Sequence, residues 1–261
     1  MSTVARRTDA GSSALSNVIT LAGRQLRRTI RQPFALIPSL IIPIFFLVVN
    51  LGALSTATEF AGIDNAANFF LPVSILFVVS NGGAGLAMVE DIESGYFDKL
   101  LLTPTNRIAL LLGSMGGDFF LLVTQATLIL ALGPLFGVEF GLGLGGAVLL
   151  VALAALWGLA YSAIGYAIAL TTGSTQATQS AFVVFFPFVF LTTSFQPLEA
   201  LQGWLQTAAK LNPVTYILEA LRGLITPGFD ATQFALGVAA AVGVGVLTIG
   251  WASLTLSRRV R

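Results

Sequence analysis

Residues 144–170 read LGGAVLLVALAALWGLAYSAIGYAIAL, a run of 27 residues without a charged side chain. At 1.5 Å per residue it makes a helix of about 40 Å, longer than the roughly 30 Å of hydrocarbon in a bilayer. Such a run reads as a transmembrane helix. The composition around it agrees. Of 261 residues 56% are hydrophobic and only 10% charged, against roughly 25% charged in soluble domains. A chain of this size folded in water needs far more polar surface than this one has.

Working outward, further apolar runs cover 34–54, 69–89, 108–136, 178–195 and 234–256. With 144–170 they predict six transmembrane helices in one domain, 34–256. The runs 108–136 and 144–170 are long enough to tilt or to project beyond the bilayer. The run 178–195 is short, rich in Phe and interrupted by Pro187. The run 34–54 is too long for a signal-peptide core and is read as an uncleaved first span.

Basic residues set the orientation. Arg6, Arg7, Arg24, Arg27, Arg28 and Arg31 precede the first run. Lys99 and Arg107 lie between the second and third, and Arg258, Arg259 and Arg261 after the last. With six spans these share one side, and only Lys210 and Arg222 fall on the other. Both termini are therefore expected in the cytoplasm, residues 257–261 forming a basic tail. Residues 1–13 read as disordered. In 14–32, Leu15, Val18, Ile19, Ala22, Leu26 and Ile30 share one helical face and Arg24, Arg27, Arg28 and Arg31 the other. That is an amphipathic interfacial helix lying on lipid. Gly113 and Gly117, and Gly237, Ala241 and Gly245, are spaced for close helix approach.

Two loops carry more than topology. The segment 90–107 contains Glu90, Asp91, Glu93, Gly95, Tyr96, Asp98, Lys99, Pro104 and Arg107. Its apolar residues Ile92, Tyr96 and Leu100 keep helical spacing, so 90–104 reads as a short amphipathic cytoplasmic helix suited to a soluble partner. The segment 196–229 holds Pro197, Trp204, Pro213, Tyr216 and Pro227 between apolar stretches too short to span. It reads as two helices separated at Pro213 and dipping into the outer interface. Leu201, Trp204, Leu205 and Ala208 form one apolar face; Ile217, Leu218, Leu221 and Leu224 form another. Glu219 and Arg222 stand three apart, close enough to pair on a helix.

Here a resemblance enters. Glu93-Ser94-Gly95 through Leu102-Thr103-Pro104 and Arg107 resembles the coupling-loop signature of the ABC-2 family of ATP-binding-cassette permeases. Leu211-Asn212-Pro213-Val214-Thr215-Tyr216, followed by Glu219-Ala220-Leu221-Arg222-Gly223, resembles the family's second signature before the last span. The flavour is that of actinobacterial drug-resistance permeases of the daunorubicin-exporter type, which implies a bacterial plasma membrane as the location. Tyr96-Phe97 stands where the family often has a small residue and an acid.

The resemblance implies an all-α, type V (ABC-2) exporter architecture: interfacial helix, coupling helix at 90–104, re-entrant outer hairpin at 196–229. It implies a non-catalytic permease that moves an amphiphilic drug, lipid or glycolipid outward. Two separate ATPase subunits then hydrolyse ATP with Mg, and a second permease chain, identical or paralogous, pairs through spans one and five. The sequence agrees in lacking a G-x-x-x-x-G-K-[ST] phosphate loop. The expected partners are these subunits and membrane lipids, with no nucleic acid and no directly bound cofactor.

Inside the spans, Asp118 is the only acid at depth. It meets a cationic substrate or a proton, or it is structural, capping a break near Gly116-Gly117 or bonding across helices. Gln125 lines a path or bonds to another helix, and Phe185 and Phe186 form a substrate wall or pack. Metal chemistry of the usual zinc kind is excluded because the chain has no His and no Cys. An intramembrane protease lacks its His or its second acid. A gradient-driven secondary transporter or channel is the remaining alternative, distinguished by activity without ATP.

The orientation is checked with single cysteines in this cysteine-free chain. An impermeant thiol reagent on intact cells is expected to label Lys210→Cys and to spare Lys99→Cys; the opposite pattern reverses the topology.

Overall fold

The computed structural model describes residues 23, 36–60, 63, 65–80, 85–101 and 107–259. The expected interfacial helix 14–32 with its four arginines lies outside these residues except for Gly23, as do 1–13, Pro104 and the last two residues of the basic tail. The side chains of Asp98 and Arg107 are outside them too.

The described chain is helical, without a strand. In order it forms α1 Leu36–Phe60, α2 Ala66–Val79, α3 Leu86–Glu93, α4 Tyr96–Leu101 and α5 Arg107–Leu132. After a 3-10 turn, Gly133–Phe136, come α6 Gly143–Thr172, α7 Thr175–Gln179, α8 Ala181–Phe190, α9 Gly203–Leu211, α10 Pro213–Ile225 and α11 Ala231–Arg259.

The opening stretch becomes α6, and α6 is the hub. It packs against α11, α5, α10, α7, α3 and α2. Small residues allow this. A side chain at Gly158 would run into Leu122 of α5 and Val79 of α2, and one at Gly245 of α11 would press on Ala160 of α6. The stripe Gly237, Ala241 and Gly245 is indeed a contact face: Gly237 sits against Ala220 and the Tyr216 carbonyl of α10, and Ala241 is fully buried.

Around this core the surface is apolar. Ile41 and Phe45 on α1, Val148 on α6, Val183 on α8, and Val246 and Leu247 on α11 all stand half exposed or more. Contiguous apolar surface on this scale needs an apolar solvent. Three segments are long and apolar enough to cross a membrane: Leu111–Phe136, Gly143–Thr172 and Ala231–Arg258. They correspond to the runs 108–136, 144–170 and 234–256. The apolar helices in the other three runs are shorter, Ile37–Ala53, Ala66–Val79 and Thr175–Phe190.

Two of those runs divide differently from the expectation. The run 69–89 is not one helix. α2 ends at Val79 with Ser80 as its cap, and α3 starts after Gly85, which is left-handed with φ of 87°. The sequence Ser80-Asn81-Gly82-Gly83-Ala84-Gly85 explains the stop, since each glycine costs a helix about 1 kcal/mol. The run 178–195 is likewise not one helix: it takes in the end of α7, a turn at Ser180, α8, and turns from Leu191. Pro187 lies inside α8 without ending it.

The coupling segment also differs. It is two helices, α3 and α4, joined at Ser94–Gly95, where Gly95 has φ of 68°. The turn rotates α4 relative to α3. Tyr96, expected on the apolar face, is 36% exposed, while Phe97 is 1% exposed. Phe97 joins Met88, Leu111, Met115, Tyr166 and Leu256 in a second apolar cluster.

Gly85 and Gly95 make opposite tests. A β-carbon at Gly85 would lie 2.7 Å from the Gly165 carbonyl carbon, whereas at Gly95 nothing lies within 4 Å. Gly95→Ala is expected to cost about 1 kcal/mol, the left-handed backbone alone. Gly85→Ala adds a backbone collision and is expected to cost about 3 kcal/mol in total. Melting temperatures of the two purified variants in detergent check the difference.

Candidate functional site

The residues singled out by sequence fall in three places: the α3–α4 end, the middle of the bundle, and the opposite end at α10.

At the α3–α4 end, Glu90, Glu93 and Lys99 are exposed and Asp91 is half buried. The hydroxyl of Thr175 on α7 donates to Glu93 Oε1 at 3.4 Å, so α7 joins this surface. Residues 171–178, uncharged and joining two of the apolar runs, carry no motif that the sequence analysis singles out. The usable signal was Ser174, whose hydroxyl caps α7 by accepting from the Ala177 amide.

In the middle, polar side chains are spent on helix pairing. The Tyr166 hydroxyl donates to Asp118 Oδ2 at 2.6 Å, and both residues are buried. This is the cross-helix bond, α6 to α5. Gln125 donates to Ser39 Oγ at 2.9 Å, tying α5 to α1. Two further bonds went unread: Trp157 to Ser80 Oγ at 2.8 Å, and the Tyr161 hydroxyl to the Ala181 carbonyl at 2.6 Å. Phe185 is fully buried, its ring 5.6 Å from Phe77 and 5.4 Å from Tyr161. Phe186 is half buried in a ring of phenylalanines closed through Phe190, Phe195, Phe46 and Phe77.

At the opposite end the two hairpin helices meet at Asn212. Its Oδ1 accepts from the Val214 amide at 3.0 Å, and its Nδ2 donates to the carbonyls of Phe188 at 2.7 Å and Leu191 at 3.1 Å. Pro213 is the first residue of α10, where its missing N–H costs nothing. The Tyr216 hydroxyl donates to the Lys210 carbonyl at 2.7 Å, stapling α10 to α9. On α10, Ile217, Leu218, Leu221 and Leu224 are buried, as their spacing predicts. On α9 the inward residue is Ala209, while Trp204, expected on the apolar face, is 73% exposed.

The Arg222 side chain makes four hydrogen bonds. Its guanidinium meets Glu219 Oε1 at 2.8 Å, Thr193 Oγ1 at 3.1 Å, the Thr193 carbonyl at 2.8 Å and the Phe69 carbonyl at 3.2 Å. It also lies 3.6 Å from the centre of the Phe69 ring. The Thr193 hydroxyl bonds Glu219 as well. The arginine side chain is 9% exposed and the glutamate 30%. One residue thus holds α10, the first turn of α2 and the turn after α8. A cavity of about 570 Å³ opens beside it.

A bundle with apolar outer faces, polar bonds spent internally and polar structure gathered at its two ends is that of a multi-pass helical membrane protein. This chain belongs to the ABC-2 type transporter family, whose match spans residues 16–226. Among its relatives, a putative transport permease, ycf38, of Cyanophora paradoxa is 30% identical over 218 residues, covering 80% of this chain and 74% of that one. The daunorubicin resistance ABC transporter permease protein DrrB1 of Streptomyces coeruleorubidus is 27% identical over 256 residues, covering 95% and 87%. The probable doxorubicin resistance ABC transporter permease protein DrrC of Mycobacterium tuberculosis is 23% identical over 216 residues, covering 82% and 78%.

Removing one partner of a buried, multiply bonded ion pair typically costs about 3–5 kcal/mol. Arg222→Ala is expected in that range. Glu219→Ala is expected to cost less, because its carboxylate reaches water. A double-mutant cycle on detergent melting should give a coupling above about 1 kcal/mol, beyond what an exposed pair supplies; a coupling near zero removes the pair's role.

Proposed function

We propose that this chain is the permease subunit of an ABC exporter that carries an amphiphilic substrate, drug or lipid, out of the cytoplasm or inner leaflet. The observation that carries the reading is the family match across 16–226, which contains both signature segments. Six spans place both termini, α3, α4 and α7 in the cytoplasm, and α9 and α10 outside.

ATP hydrolysis belongs to separate ATPase subunits, two per transporter, which hold ATP and Mg. They dock on the α3–α4 surface. The anchoring of Phe97 supports this, since a push on α4 bears directly on α5, α6 and α11 through the apolar cluster. Glu90, Asp91, Glu93, Tyr96, Asp98 and Lys99 supply the contact face, Gly95 sets the angle between the two helices, and Pro104 and Arg107 lead into α5. A second permease chain faces this one through α1 and α8, whose outer faces present Phe45, Val183 and Phe190. Phe186 and its ring of aromatics stand on that side and form the apolar wall of the pathway. Asp118, Gln125 and Phe185 hold helices together behind it. Asn212, Pro213, Tyr216, Glu219 and Arg222 keep the outer hairpin closed between transport cycles.

Gly95→Pro forbids the left-handed turn, and Asp98→Lys inverts a charge on α4. Each variant is expected to insert and dimerise normally, yet to lose ATPase pull-down or to lower ATP-dependent export in liposomes at least about tenfold. Variants along the segment that bind the ATPase and export like the parent would move the docking surface elsewhere. Export that persists without ATP would favour a gradient-driven carrier.

A further inference from the structure

Among the described residues, the Thr215 hydroxyl is the one buried side-chain polar group without a hydrogen-bond partner. Thr215 is 5% exposed. Ser74, Ser162, Thr178, Thr192 and Thr255 are buried too, and each donates to a carbonyl three or four residues back. At 215 that outlet is closed. Thr215 stands in the first turn of α10, so the residue four back is Leu211, the end of α9. Between them Asn212 is extended, with φ of −82° and ψ of 120°, which breaks the helical path to the Leu211 carbonyl. The carbonyl three back, that of Asn212, already accepts from the Thr215 amide at 3.1 Å.

The surroundings of this hydroxyl are polar. Residues 212, 215, 219 and 222 are three and four apart, so they share one face of α10. That face meets the turn after α8. Asn212 bonds the Phe188 and Leu191 carbonyls, while Glu219 and Arg222 bond Thr193. Thr215 lies between these anchors. Thr192, Thr193 and Ser194 of the turn are buried, and the Thr192 and Ser194 hydroxyls bond one another at 2.7 Å. The Glu219 side chain, one helical turn beyond Thr215, is 30% exposed and opens this seam to water.

Buried hydroxyls in proteins are bonded, either to protein groups or to ordered water. We propose that the Thr215 hydroxyl holds a buried water molecule, bridged to the Glu219 carboxylate, as a resident part of the seam between α10 and the turn after α8. The hydroxyl-bearing neighbours are themselves buried, so the seam suits one water and not a larger ligand. A contact closed through water parts without stripping a hydroxyl bare, which suits a hairpin proposed as the outer closure. The water site itself does not depend on the exporter reading.

Thr215→Val keeps the shape of the side chain and removes the hydroxyl. A dry, unbonded hydroxyl is better replaced by a methyl group, and melting temperature would then rise. A hydroxyl that holds water loses its bond, and a fall of about 2–4 °C is expected for the full chain in nanodiscs. Radiolytic hydroxyl labelling reads the water directly, because a bound water yields its radical in place and marks the side chains around it. Leu218, fully buried and three residues beyond Thr215, is expected to carry label in the parent and to lose most of it in Thr215→Val. A melting temperature unchanged or raised in Thr215→Val, no label on Leu218 in the parent, or label unchanged by the substitution overturns the proposal. Labelling of the parent needs no variant, so it decides even if Thr215→Val does not fold.

Discussion

How closely other helices can approach α6 decides the rest of the bundle. Between helices in lipid there is little hydrophobic drive, so association rests on packing and on polar bonds made at short range. Gly158 lets α5 and α2 come in together, Ala160 receives Gly245 of α11, and Gly165 receives the turn at Gly85. Once the backbones are close, three ring side chains of α6 reach three different neighbours. Trp157 bonds Ser80 at the end of α2, Tyr161 bonds Ala181 at the start of α8, and Tyr166 bonds Asp118 on α5. Thr248 of α11 adds a bond to the Ala160 carbonyl at 2.6 Å. None of these bonds forms if the helices stand a side chain further apart.

The same packing explains why α2 is short and wholly sequestered. Every residue from Ala67 to Val79 is buried, and the helix is held at both ends. Arg222 grips its first turn at Phe69, and Trp157 holds Ser80 beyond its last. Beyond Gly85 the chain enters α3, which packs on α6 and α7. A stiff element clasped at each end carries displacement instead of absorbing it. α2 thus joins the two functional ends: the segment proposed for ATPase docking follows it in sequence, and Arg222 ties its first turn to the hairpin proposed as the outer closure.

Much of this was legible in the sequence because hydropathy and helical spacing report burial directly. The long runs that became α5, α6 and α11, the inward face of α10, the hairpin break at Pro213 and the Glu219–Arg222 pair all follow local rules. The misreadings share one cause. Window averages over 69–89 hide the glycine-rich stop after Val79, because the apolar residues on either side outweigh it. The face Ile92–Tyr96–Leu100 assumes an unbroken helix, and the left-handed Gly95 shifts the register so that Phe97 turns inward. The bonds of Trp157 to Ser80, Tyr161 to Ala181 and Arg222 to Phe69 join residues 77, 20 and 153 positions apart, and no local spacing encodes such a partner.

The hairpin shows why particular polar residues sit where the chain stops being helical. A helix that ends at membrane depth leaves its last carbonyls without donors, and lipid supplies none. α8 ends at Phe190 and the chain turns through Leu191–Thr193 before the hairpin begins. Asn212 answers the carbonyls of Phe188 and Leu191, and Arg222 answers that of Thr193. A lysine at 222 would be a poor substitute, because one ammonium cannot present the planar fork that spans Glu219, Thr193 and Phe69 at once. The charge that this solution buries then needs an anion, and Glu219 stands one helical turn back on the same face. Asn212, Glu219 and Arg222 therefore form one answer to a single constraint: irregular backbone is tolerated in a buried place only where side chains satisfy it.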